Sequence, residues 1–223
     1  IIAKKQLEAG AVGICAAKVS EAEVLVKSGI NNILITSPVI GKTKVEKLIS
    51  LYTAAPGIMT VVDSYENAFE LNSAAAREKL DLNILIDIDP CFGRTGVSFD
   101  KVEAFAKKLQ LLERLKINGI QCYAGNLQHI KEYEKRRGMS IELLTRASAT
   151  RKKLEEEGVQ CPVFTGAGTG TYNIDCEVEG MTDLQVGSYV FMDGEYMNIG
   201  GADNPERFND FKPALRLLSR VVS

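Results

Sequence analysis

The sequence contains one histidine, His129, and no pair of cysteines at C-x-x-C spacing. A single imidazole with no adjoining thiol cluster excludes a complete structural or catalytic zinc site built from this chain. Five cysteines, Cys15, Cys91, Cys122, Cys161 and Cys176, lie far apart and mostly within apolar runs. They exclude a disulfide framework and read as buried thiols of a reducing compartment. No apolar run approaches the roughly 18 residues that a membrane-spanning helix needs. The opening IIAKKQLEAG has none of the layout of a secretory leader, so the expected location is cytoplasmic. Blocks of like charge are also missing. The 27 basic and 29 acidic residues are interspersed and sum to −2, which leaves no electrostatic footprint for nucleic acid or an anionic membrane. The expected partners are small molecules. The chain does not open with methionine, and Ile1 enters helical spacing with no strand before it. The expectation is an excerpt of a longer protein.

What is present is a regular alternation. The β-rich runs AVGICAA, NNILITS, IMTVVDS, LNILIDID, INGIQCYAG, CPVFTGAG and LQVGSYVFMD are each followed by a stretch with 3.6-residue periodicity, such as SEAEVLVKSG or DKVEAFAKKLQLLERL. Such alternation predicts parallel βα units. Gly29 and Gly158 follow the ends of two predicted helices, and Ser20 and Asp100 stand where N-caps belong. With 223 residues, 45% hydrophobic and 25% charged, residues 1–223 read as one domain with a large core. The alternation fits either a doubly wound sheet or a closed barrel. Seven runs plus an opening helix that must itself follow a strand favour a (β/α)₈ TIM barrel whose first strand precedes Ile1. The closing ERFNDFKPALRLLSRVVS is predicted to be the last helix and the approach to a further domain.

In such a barrel the ligand lies at the C-terminal strand ends, and a phosphate often binds the loops after the last two strands. Those loops are TGAGTGTYNID, with Gly166, Gly168, Gly170, Thr169 and Thr171, and the turn at Gly187 and Ser188. Glycines let backbone N–H groups approach an anion and hydroxyls can donate to it, although either loop alone could be a tight turn. Arg94, between glycines in CFGRTGV, offers a donor fork suited to a phenolate or carboxylate, with a surface ion pair to Asp89 as the plainer reading. On GIQCYAGNLQH, alternation places Gln121 and Tyr123 on one strand face at the barrel mouth, with Asn126, Gln128 and His129 following. His129 is either structural or an acid/base. Lys18, at the end of the first visible strand, reads as a mouth-lining lysine and is geometrically open to a Schiff-base role.

The ordered set LEAGAVGICAAKVSEAEVLVKSGINNILI, DIDPCFGRTGV, GIQCYAGNLQH, TGAGTGTYNID and QVGSYVFMD resembles the D-threonine aldolase and D-serine dehydratase family. That family is a branch of the alanine-racemase-like, fold type III pyridoxal phosphate proteins. The resemblance implies a barrel of the alanine racemase N-terminal type holding pyridoxal 5′-phosphate. Arg94 would face the phenolic oxygen, Gln121 the ring with Tyr123 and Gln128 nearby, and Gly168, Thr169, Gly170, Gly187 and Ser188 the phosphate. It implies a Schiff-base lysine upstream of Ile1, in a PHxKTHK-like stretch. It also implies a divalent metal (Mn, Mg or Zn) on a C-terminal β domain beyond residue 223, and a homodimer by analogy. The implied activity is a metal-activated lyase acting on D-3-hydroxy amino acids, by retro-aldol cleavage to glycine and an aldehyde. The alternatives are D-serine dehydration, racemisation and a non-catalytic cofactor carrier. Gln185 stands where racemase relatives place an arginine against the pyridine nitrogen, which favours a lyase. A phosphate-binding barrel outside this family, using Lys18 without cofactor, is a further alternative.

Overall fold

The structure, a computed structural model, describes residues 1–220. Seven strands form one parallel sheet in chain order: β1 (Ile14–Ala16), β2 (Ile33–Ile35), β3 (Met59–Val62), β4 (Leu82–Asp87), β5 (Leu115–Cys122), β6 (Val163–Gly166) and β7 (Asp183–Leu184). The intervening helices are α2 (Val19–Lys27), α3 (Lys42–Ala54), α4 (Tyr65–Glu78), α5 (Val102–Leu109) and α6 (Tyr133–Glu156), with α1 (Ile2–Glu8) opening the chain. Each strand pairs with its sequence neighbour, as in Ile14 with Ile33 and Gln121 with Thr165. This order arises where every connection is a right-handed βα crossover that advances the sheet by one strand. The sheet curls back on itself, because β1 (Ile14, Cys15) and β7 (Asp183, Leu184) line the same cavity.

Apolar strand residues divide between two layers. Leu34, Val61 and Leu85 pack together with Met59 and Val163, while Ile33, Ile35, Val62, Ile84 and Ile86 pack against the helices. Gly119 is the most crowded glycine of the sheet. Its φ is +139°, and a Cβ there would stand 1.8 Å from the Val163 carbonyl oxygen, so no larger residue fits between β5 and β6.

Several local expectations are corrected. The run LQVGSYVFMD was predicted to be a strand, yet only Asp183–Leu184 pairs. At Gly187 the backbone turns into a 3₁₀ turn over Ser188–Val190, and beyond it Met192 packs with Tyr196, Ile199 and Phe208. The closing helix is not formed. Residues 212–220 have no regular structure, Pro213 removes a backbone donor, and Leu217 and Leu218 stay at least nine-tenths exposed with nothing to pack against. Residues 221–223 of that predicted helix lie outside the described residues. The N-cap of α2 is Lys18 rather than Ser20, and Asp100 lies inside a 3₁₀ turn, Phe99–Lys101, that precedes α5. Gly29 and Gly158 do take left-handed conformations, φ +82° and +83°, just past α2 and α6.

Candidate functional site

The C-terminal strand ends surround a cavity of about 320 Å³. Cys15 and Ala17 reach it from the end of β1, Thr36 and Ser37 from the loop after β2, and Arg94 from the loop after β4. Gln121 comes from β5 and Tyr123 from just past its end, Gly168 and Thr169 from the loop after β6, and Gln185, Gly187 and Ser188 from the loop after β7. Tyr196, from a short helix over Gly194–Met197, closes one side. Parallel strands carry their side chains toward one rim, which is why residues so distant in sequence meet there.

The floor is a chain of amides anchored on a buried carboxylate. Gln121 Nε2 donates to Asp87 Oδ1 (2.8 Å) and to the Thr36 carbonyl (3.1 Å). Both partners are acceptors, so Gln121 must turn its own oxygen toward Gln185, whose Nε2 donates to it (3.0 Å) and to Thr165 Oγ1 (3.2 Å). Both N–H bonds of Gln185 are thereby engaged, and the residue brings no charge to the floor. Thr95 Oγ1 donates to the second oxygen of Asp87 (2.8 Å). Burial still dominates there and pushes the Asp87 carboxyl up to about 6, with Arg94 opposing the rise.

Arg94 stands on a loop that folds its own turn. Asp89 Oδ1 accepts from the N–H groups of Phe92 (2.8 Å) and Gly93 (3.0 Å), and Gly96 N–H donates to Asp63 (3.1 Å). The Asp89 carboxylate is thus committed to the backbone, and among the described residues no ion pair joins it to Arg94. The guanidinium lies 5.1 Å from the centre of the Tyr123 ring and 5.7 Å from that of Phe92, which orients the fork without consuming its N–H groups. Burial raises the pKa of the Tyr123 hydroxyl, and Arg94 opposes that rise.

Across the cavity, the loops after β6 and β7 form a cradle. Among the described residues, the backbone N–H groups of Gly168, Thr169, Gly187 and Ser188 have no acceptor. Thr169 Oγ1 accepts from the Tyr189 N–H (3.0 Å), which ties one loop to the other. Gly170 differs: its N–H is spent on Gln128 Oε1 (3.0 Å). Gln128 itself is buried behind the loop, where its Nε2 donates to Thr171 Oγ1 (2.9 Å) and the Ala124 carbonyl (3.2 Å). Thr171 and Ser140 hydroxyls donate in turn to the buried Asp175. Gly170 and Gln128 therefore support the cradle and do not line the cavity.

Other expected residues stand outside. His129 packs its ring against Tyr196, centroids 4.4 Å apart, and its Nδ1 is 3.8 Å from Glu195, so it backs a cavity wall without reaching the interior. Asn126 is exposed in a 3₁₀ turn, Gly125–Leu127. Lys18 is not a mouth-lining residue. Ala17 faces the cavity, alternation turns the next side chain away, and Lys18 Nζ sits 3.8 Å from Glu21 with the side chain 70% exposed. Among the described residues no lysine lines this cavity, and no three potential metal ligands come together. Sequence reasoning missed Asp87, Thr36, Thr165, Tyr196 and the buried Arg136. Only the alternation along LNILIDID carried a signal, placing Asp87 at a strand end.

Residues 1–194 match the family described as alanine racemase, N-terminal domain. The chain belongs to that family. This alanine racemase N-terminal domain is 35% identical over 223 residues to "D-threonine aldolase" of an Arthrobacter species, covering 100% of this chain and 58% of the relative. It is 33% identical over 217 residues to "3-hydroxy-D-aspartate aldolase" of Paracoccus denitrificans, covering 96% of this chain and 56% of that protein. The crystal structure of D-threonine aldolase from Filomicrobium marinum superposes with a TM-score of 0.87 at 32% identity, over 96% of this chain and 56% of that one. The domain thus spans little more than half the length of the curated relatives it matches. No helix of the described residues is long and apolar enough to cross a membrane.

Proposed function

We propose that the cavity holds pyridoxal 5′-phosphate and that the parent protein is a lyase cleaving D-3-hydroxy amino acids to glycine and an aldehyde. The observation that carries this reading is the pairing of a four-N–H cradle on one side with a restrained guanidinium on the other. Free N–H groups at glycine turns suit a phosphate dianion. The Ser188 hydroxyl adds a donor beside them. Arg94 would hold the phenolate oxygen, with Tyr123 beneath it, and the amides of Gln121 and Gln185 would form the floor under the ring. When bound, the cofactor supplies an electron sink conjugated to the substrate's amino group.

The chain's own residues position and shield. The Asp87–Gln121–Gln185 chain fixes the floor amides in one orientation, so little reorganisation is needed when a ring seats on them. Tyr196, whose hydroxyl burial and the neighbouring Tyr123 push up to about 12, remains a neutral donor at neutral pH. Gln185 brings no positive charge to the floor, which is our ground for preferring a lyase to a racemase. The described residues do not fit a metal site, so no step is assigned to a metal on this domain. The aldolase names of the relatives at 35% and 33% identity support cleavage over dehydration.

The test is an absorbance spectrum of the intact protein before and after D-threonine and a divalent cation, with glycine, acetaldehyde and keto acid assayed. A cofactor band with glycine and acetaldehyde released is the expected result. Keto acid would make the enzyme a dehydratase, a band without turnover would make it a carrier, and absence of any band would remove the cofactor.

A further inference from the structure

Among the described residues Arg136 is the largest fully buried side chain. It lies in the first turns of α6, within the basic run Lys135, Arg136 and Arg137. Arg137 pairs with Glu177 on the surface. Arg136 instead points inward and takes part in no ion pair among the described residues. Its Nε donates to the Gly170 carbonyl at 2.8 Å, and its Nη atoms donate to the carbonyls of Ile130, Lys131 and Gly200. The Tyr133 ring centre is 5.4 Å away. The buried carboxylate on the same side of the loop, Asp175, gives its oxygens to Ser140 and Thr171. Asp210 lends Arg136 some Coulombic support from a distance but accepts its own bond from Tyr172.

A permanently charged guanidinium buried on carbonyl oxygens alone costs more desolvation than a neutral amide bridging the same groups. A staple does not need the charge, so the charge calls for a use. The hydrogen bonds show where its field leads. The guanidinium donates to the carbonyl of Gly170, the N–H on that same peptide, from Thr171, donates to the Gly168 carbonyl (3.2 Å), and the N–H on that second peptide is the unpaired one of Thr169. Two peptide dipoles thus stand head to tail between a buried cation and the cavity. Polarisation along such a chain strengthens the last donor.

We propose that Arg136 is a built-in counter-charge for the ligand's phosphate, a positioning residue that acts through the Gly170 and Gly168 peptides without touching the ligand. The proposal rests on the phosphate-cradle reading above. Its consequence is selectivity for a dianionic phosphate ester over the same molecule without phosphate.

The experiment strips the intact protein of cofactor and measures equilibrium binding of pyridoxal 5′-phosphate and of pyridoxal, in wild type, Arg136→Gln and Arg136→Lys. In Arg136→Gln, affinity for the phosphate ester is expected to fall roughly tenfold, the size of a charge-assisted contribution lost at a partly shielded distance, while pyridoxal binds as before. Arg136→Lys, which keeps the charge and loses the fork, is expected to retain most of the preference. A ³¹P titration of bound pyridoxal phosphate supplies a second readout. The phosphate should stay dianionic well below its free second pKa of about 6 in wild type and Arg136→Lys, and titrate closer to that value in Arg136→Gln. Equal loss of both ligands in the two variants, with an unshifted ³¹P titration, would make Arg136 a structural staple and overturn the proposal. Should Arg136→Gln fail to fold, Arg136→Lys decides, because a staple needs the fork that lysine lacks. Wild-type protein that binds the two ligands equally would instead overturn the cradle reading itself.

Discussion

Gly170 and Gly187 lie in the two halves of one cradle for opposite reasons. A Cβ on Gly170 would stand 2.2 Å from the Gln128 carbonyl oxygen, a backbone atom that cannot swing away. One on Gly187 would meet nothing within 4 Å. Gly170→Ala is therefore expected to lower stability by more than about 2 kcal/mol, and Gly187→Ala to leave it within about 0.5 kcal/mol. Urea unfolding of both variants checks the contrast, and equal losses would refute it. Asp87 gives a pH signature. Its carboxyl, 3% exposed, titrates near 6 in the folded chain against an ordinary 3.8, so the folded state holds this proton more tightly than the unfolded state does. Its contribution to stability is full below about pH 4 and is lost as pH rises through 6. Asp87→Asn should thus gain on the order of 2–3 kcal/mol over wild type at pH 8 and nothing at pH 4. Denaturant midpoints measured at the two pH values would show it, and a gain of equal size at both would rule out the titration.

At the scale of elements, the strand-and-helix alternation was legible because short apolar β-rich runs alternate with stretches of 3.6-residue periodicity. The cradle loops were legible too, since glycine spacing survives in the sequence. Which glycine lines the cavity and which is held by packing was not, because Gln128 reaches Gly170 and Thr171 across more than 40 residues. Arg136 was hidden for a related reason: within a run of three basic residues, only the packed helix shows which one turns inward. The last strand was overread because a short apolar run does not by itself separate strand from turn, and of this one only Met192 is buried. The β4–α5 loop offers a test at this scale. Asp89 holds the Phe92 and Gly93 N–H groups, so Asp89→Ala should free the turn and weaken pyridoxal phosphate binding about tenfold through misplacement of Arg94. Asp89→Asn, which keeps the accepting oxygen, should restore it. Loss in both variants would point to the charge of Asp89 and not to the turn.

At the scale of the whole molecule, the two edges of the curled sheet face each other across a largely apolar cavity of about 650 Å³, lined by Ile14, Ile33, Met59, Val163 and Leu184 among others. Strands β1 and β7 each have one paired neighbour among the described residues, so each presents an outer row of backbone donors and acceptors. Unpaired edges beside apolar surface invite added strands or self-association. Produced alone, the polypeptide 1–223 should bind a hydrophobic dye such as ANS and show concentration-dependent scattering. Val12 lines the seam and is 73% exposed, so Val12→Lys places a charge there at little cost to the core. That variant is expected to suppress association while leaving the far-ultraviolet dichroism unchanged. A wild-type polypeptide that stays monomeric and takes up no dye would mean that the seam closes on itself, with β1 and β7 drawn together and the cavity lost.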